Sequence, residues 1–212
     1  MKGYFVTGTD TGVGKTFVSC VLARGSVARG ARVFAFKPIE TGCELVGGQL
    51  VGADQELLAE AAGSWQHGEL RGVYRFPVPA APRVAAEAAG TAIDLDRVAQ
   101  VLRAGASGAE LVIVEGAGGW RVPITDTADM STLARIVGLP VLVVARAGLG
   151  TINHSLLTLE SVEREGLSVA ALVLSCRPDD DPELAASNAH EIRLRWPGTV
   201  HVLTHGAPAL PL

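Results

Sequence analysis

Apolar residues along the chain fall into two alternating patterns. Short β-branched runs are apolar at every position, and the stretches between them carry apolar residues at helical spacing. Uninterrupted apolar runs belong to strands covered on both faces, as in a parallel sheet. Strands are predicted at residues 4–7, 33–37, 111–115, 141–145, 169–175 and 200–203. Helices are predicted at 15–29, 94–104, 130–137, 151–165 and 182–195, several of them preceded by Ser, Thr or Asp in cap position. The repeated strand–helix order predicts an α/β fold, a doubly wound and mostly parallel sheet with helices on both faces. Residues 77–82 carry too many prolines for a regular element and read as an ordered loop within one domain spanning residues 1–212.

Composition narrows the partners. With 48% hydrophobic and 19% charged residues, the 212-residue chain suits a single globular domain. Its formal net charge of −4 supplies no general cationic field for nucleic acid or an anionic membrane. No apolar stretch approaches the roughly 20 residues of a membrane span, and no signal-like segment precedes the first strand. Cys20, Cys43 and Cys176 form neither a CxxC pair nor a metal-ligand spacing, which fits a reducing cytoplasm.

The chemistry concentrates at strand ends. Gly8-Thr9-Asp10-Thr11-Gly12-Val13-Gly14-Lys15-Thr16 follows the first strand and opens the first helix, as a phosphate-binding loop does. Its glycines let backbone N–H groups face a polyphosphate, Lys15 brings a cation to the β/γ oxygens, and the Thr16 hydroxyl suits a metal ion. Gly8 and Gly14 stand one residue further apart than in the usual form of the motif. Lys37 ends the second strand, where side chains reach the crevice at the carboxyl edge of such a sheet. A lysine there is also commonly just solvated, and Thr41-Gly42 beyond it reads equally as a simple turn. Glu115 ends an apolar strand and precedes Gly116-Ala117-Gly118-Gly119, the layout of a carboxylate facing a bound nucleotide. Mg²⁺ prefers one or two carboxylates with phosphate oxygens and water, so a second acid is expected. Asp54 is one candidate, although by position it reads as the cap of a helix over residues 55–62; Asp126 and Asp129 are rivals that read as loop and cap residues. Gly148-Leu149-Gly150-Thr151-Ile152-Asn153-His154 leads from a strand into a helix and offers a second anion site, or a helix start with Thr151 as its cap.

Taken in order, the loop at 8–16, Lys37-Pro38, Glu115 to Gly119 and Gly150 to His154 resemble dethiobiotin synthetase of biotin biosynthesis over most of the chain. The resemblance implies a P-loop NTPase-like core and ATP-dependent closure of a cyclic urea from 7,8-diaminopelargonate and CO₂. Mg²⁺ is then the metal, with Thr16, Asp54 and Glu115 around it. By the same resemblance Gly12, Val13, Gly14, Lys15, Thr16 and Phe17 bind the triphosphate. Asp54, Glu115, Gly116, Ala117, Gly118, Ser175 and Cys176 complete the nucleotide site, and Lys37 joins Lys15 as catalytic. Thr11, Lys37, Thr41 and Gly118 contact the diamine. Leu149, Gly150, Thr151, Ile152 and Asn153 of the other subunit of a homodimer receive its carboxylate. Three departures stand out: Gly12 where many members have glutamate, Ser175-Cys176 where the family shows an asparagine reading adenine, and a tail Thr204-His205-Gly206 unlike the base-contacting segment. Loose base specificity is therefore expected. Rival readings are a partitioning-type ATPase, whose signature lysine is replaced here by Asp10, and a catalytically silent nucleotide-binding domain.

Overall fold

The computed structural model describes residues 1–210; Pro211 and Leu212, the end of the expected domain, lie outside the described residues. The elements run β1 (Gly3–Gly8), α1 (Lys15–Ala28), β2 (Val33–Phe36), β3 (Ile39–Thr41), β4 (Glu44–Val46), β5 (Gln49–Val51), α2 (Ala53–Ala61), β6 (Tyr74–Phe76), α3 (Pro82–Ala88), α4 (Leu95–Ala106), β7 (Leu111–Gly119), α5 (Met130–Val137), β8 (Val141–Arg146), α6 (Thr151–Arg164), β9 (Val169–Ser175), α7 (Pro182–Arg193) and β10 (Val200–Leu203).

Six strands form one sheet in the order β10-β9-β8-β1-β7-β2, and every pairing in it is parallel. Side chains along each strand alternate between two cores, which is why the runs are apolar throughout. Phe5, Phe34, Val112, Val143 and Leu172 face one core, closed by α4 to α7. Their neighbours Val6, Ala35, Ile113, Val144 and Val173 face the other, closed by α1 and α2. The open edge of β2 is covered by side chains. Gln66 donates to Ala35 O at 2.8 Å, Gln55 donates to the same oxygen at 3.3 Å, and the Trp65 indole donates to Val33 O at 2.8 Å. Those bonds block pairing with a further strand.

Several expectations need correction. β7 does not stop at Glu115 but continues to Gly119, where it pairs with Gly8 across a register shift; glycines at its end let the two backbones stay close. Residues 77–81 are a loop, but Pro82 opens α3, a position where its missing N–H is no loss. Asp54 is not a cap: Gly52 holds that position and Asp54 lies in the first turn of α2. Thr151 is likewise the first helical residue of α6, behind Gly150 at φ +89°, and its buried hydroxyl lies 3.4 Å from Ser155. The paired short strands β3–β6 and β4–β5 were not foreseen.

Candidate active site

Strand order assembles the site. β7 lies between β1 and β2, so a side chain at its carboxyl end meets the segments leaving both neighbours. Val6 is level with Glu115, and Phe36 with Val114, which puts Lys37 one step on, beside Glu115. Glu115 is fully buried. Its Oε1 accepts from the Thr16 hydroxyl at 2.8 Å and from Lys37 Nζ at 2.8 Å, and its Oε2 accepts from the Ser19 hydroxyl at 2.9 Å. Lys37 also pairs with Asp54 on α2. The ammonium thus bridges two carboxylates, one from each flanking element.

The loop after β1 wraps over this cluster. Gly14 sits at φ +97°, and a side chain on it would collide with Ser175. Glycine therefore answers both a left-handed backbone and a close approach there. Lys15 folds back, its Nζ donating to Asp10 O at 3.1 Å. Arg177 reaches across from the end of β9 to donate to Gly12 O at 3.1 Å. Lys15, Lys37, Thr16, Asp54, Thr11, Gly12, Gly14, Thr41, Ala117, Gly118 and Glu40 line one cavity of about 320 Å³.

Charge states follow from this packing. Burial pushes the Lys15 ammonium down to about 8, with Glu115 opposing and Lys37 adding to the fall. Burial also works against the charge of Lys37, but Glu115 and Asp54 outweigh it and hold that lysine above the usual range. Burial raises Asp54, and Lys37 more than reverses this, leaving the carboxyl below its ordinary range.

Other sequence candidates lie around this cavity and not in it. Val13 packs into the α1-side core, while Gly116 rests against Phe5 and Met130. Ser175 and Cys176 are buried at the end of β9, Ser175 directly behind Gly14. The Phe17 ring stacks on His205 with centroids 6.0 Å apart, so the unmatched tail does return to the loop helix. Leu149 is 88% exposed, and the start of α6 has no side-chain cap. Asp129 caps α5 and Asp126 pairs with Arg83; neither reaches the cavity. Ser19, Gln55, Glu40 and Arg177 were missed, because no motif marks them and only the fold brings them in.

The Thr16 hydroxyl with the Asp54 and Glu115 carboxylates is an all-oxygen donor set, which suits a hard divalent ion that also takes phosphate oxygens and water. Among the described residues no three His, Cys, Asp or Glu side chains form a metal cage by themselves. The metal that fits is one associated with a nucleotide. No described helix is long and apolar enough to cross a membrane.

A parallel sheet with a phosphate loop after its central strand, a lysine and threonine opening the next helix and a buried carboxylate alongside defines a P-loop nucleotide-binding protein. A family model described as an AAA domain matches residues 2–204. The chain is 47% identical over 195 residues to the ATP-dependent dethiobiotin synthetase BioD of Anaeromyxobacter dehalogenans (strain 2CP-C), covering 92% of this chain and 86% of the relative. It is 42% identical over 193 residues to the protein of the same name from Nitrosospira multiformis, covering 91% and 82%. The chain belongs to the ATP-dependent dethiobiotin synthetase family. In fold it is similar to the signal recognition particle receptor FtsY of Elizabethkingia anophelis, with TM-score 0.55 at 15% identity, covering 94% of this chain and 57% of that one. Relatives of this kind do not favour the partitioning-type ATPase or the silent nucleotide-binding domain.

Proposed function

We propose that this chain is an ATP-dependent ligase of biotin biosynthesis that converts 7,8-diaminopelargonate and CO₂ to dethiobiotin, with ADP and phosphate as the other products. An amine of the substrate adds to CO₂ and loses a proton, giving a carbamate. A carbamate oxygen attacks the γ-phosphorus of ATP and ADP leaves. The second amine then attacks the carbonyl carbon of the mixed anhydride, closing the ring and expelling phosphate. Two anions must meet in the second step, so fixed positive charge between them lowers the barrier.

One observation carries this reading: Lys15 and Lys37 line the same cavity. Lys15, at the loop, serves the triphosphate, and Lys37, held by Glu115 and Asp54, serves the carbamate and the transferred phosphoryl group. Thr16, Asp54 and Glu115 would hold Mg²⁺, which when bound neutralises charge on the phosphates. Gly12 through Phe17 hold the triphosphate, Ala117 and Gly118 flank it, and Ser175 and Cys176 lie towards the base, where a single serine hydroxyl reads little. Thr11, Thr41 and Gly118 face the diamine. The substrate carboxylate goes to the start of α6, at Leu149 to Asn153, in a second copy of the chain. The exposure of Leu149 and the uncapped helix end support that placement, and a strictly monomeric protein in sedimentation equilibrium would remove it. The protein acts as one domain, in the cytoplasm.

The test is phosphate release by the purified protein with the product mass measured. Release is expected only when diamine, bicarbonate and nucleotide are all present, and Lys37→Ala is expected to lower turnover by about 10² to 10³ while the circular dichroism spectrum persists. Nucleotide hydrolysis indifferent to the diamine would defeat the proposal.

A further inference from the structure

Glu40 is a buried carboxylate for which the reaction above has no use. It lies at 6% exposure on β3, three residues after Lys37, and its carboxylate is spent on the start of α2. Oε1 accepts from the Asp54 N–H at 2.8 Å and Oε2 from the Gln55 N–H at 3.0 Å. These are the second and third residues of α2, whose N–H groups an N-terminal cap ordinarily serves. The cap position itself holds Gly52, in extended conformation at φ −91° and ψ 111°, with no side chain to do the work. That backbone would accept any residue, but a Cβ on Gly52 would overlap the Glu40 carboxylate. The cap therefore comes from another strand and fills the space where a local cap would sit.

The two residues it holds are the two that fix Lys37 from the α2 side. Asp54 pairs with its ammonium, and the Gln55 side chain accepts from its backbone N–H at 2.6 Å. We infer that Glu40 is a positioning residue, which caps α2 from outside and thereby sets Asp54 and Gln55 around Lys37. Glu40 also borders the cavity. With each oxygen committed to a backbone N–H, its position serves the helix and not proton transfer with substrate. The positioning of Lys37 matters to catalysis on the reading given under the proposed function.

The test compares the wild type with Glu40→Ala, Gly52→Ser and the double variant. It uses residue-resolved amide hydrogen exchange of nucleotide-free protein, and kcat and KM. Glu40→Ala is expected to speed exchange at Lys37, Asp54 and Gln55 by about tenfold or more, the scale of a lost cap. It should lower kcat at least as much, and through Asp54, placed above at the metal, it should raise KM for the nucleotide as well. Gly52→Ser alone is expected to harm both, through its overlap with Glu40. In the double variant the introduced hydroxyl has room to cap the helix, and protection and kcat should both return towards wild type. Unchanged exchange in Glu40→Ala overturns the inference. So does a double variant with restored protection but no recovery of kcat, which would make Glu40 a group acting on substrate. A wild type that releases no phosphate with diamine would sink the proposed function instead, and exchange at the three amides then decides the positioning claim alone.

Discussion

At the scale of single residues, the site is a set of charges whose states are set by burial and by one another. Lys15, lowered to about 8, is protonated at neutral pH and begins to lose its proton just above it. A polyphosphate favours the charged form, so binding above pH 8 requires proton uptake. Nucleotide affinity should fall by up to about tenfold per pH unit there. Titration calorimetry across pH 7 to 9.5 reads this directly (~2.5 units of pH); Lys15→Arg should bind with no such limb, since its guanidinium stays charged. A flat profile in the wild type would contradict the assignment. The effect on stability has the opposite sign. Between about 8 and 10.5 the unfolded chain holds more protons at this lysine than the folded one, so its burial penalty is relieved as pH rises.

At the scale of elements, the interior contacts are tight enough for small changes to register. Gly105 on α4 packs against the Phe34 ring, where a Cβ would overlap three ring carbons. Gly105→Ala should cost about 1 to 3 kcal/mol despite the better helix propensity of alanine, measured by chemical denaturation; a stabilised variant would mean that the helix moves aside freely. The six core strands were legible in the sequence because burial on both faces writes itself as unbroken apolar runs. Residues 169–175 and 200–203 and the helix at 130–137 match their structural bounds fully. The short strands β3 to β6 were not, since three residues carry no period. Glu115 as a carboxylate facing the phosphate-binding loop was legible from its place at a strand end before a glycine run, and it does meet Thr16 of that loop; its bond to Lys37 was not. Glu40, Gln55 and Ser19 were not, because their roles arise from contacts between residues 14 to 96 apart in sequence.

At the scale of the whole molecule, one topological fact does most to make the chemistry accessible. By inserting β7 between β1 and β2, the fold brings a loop lysine and a strand-end lysine into one cleft, the second of them held by Asp54 and by Glu115 buried behind it. The central claim is that this cleft lets a carbamate attack a triphosphate. If so, an oxygen of CO₂ becomes the bridging atom of the anhydride and leaves with phosphate when the ring closes. The direct measurement is a rapid turnover with ¹⁸O-labelled CO₂, reading the isotope content of the phosphate released. One labelled oxygen in each phosphate is the predicted result. Phosphate formed at the same rate but free of label would contradict the account.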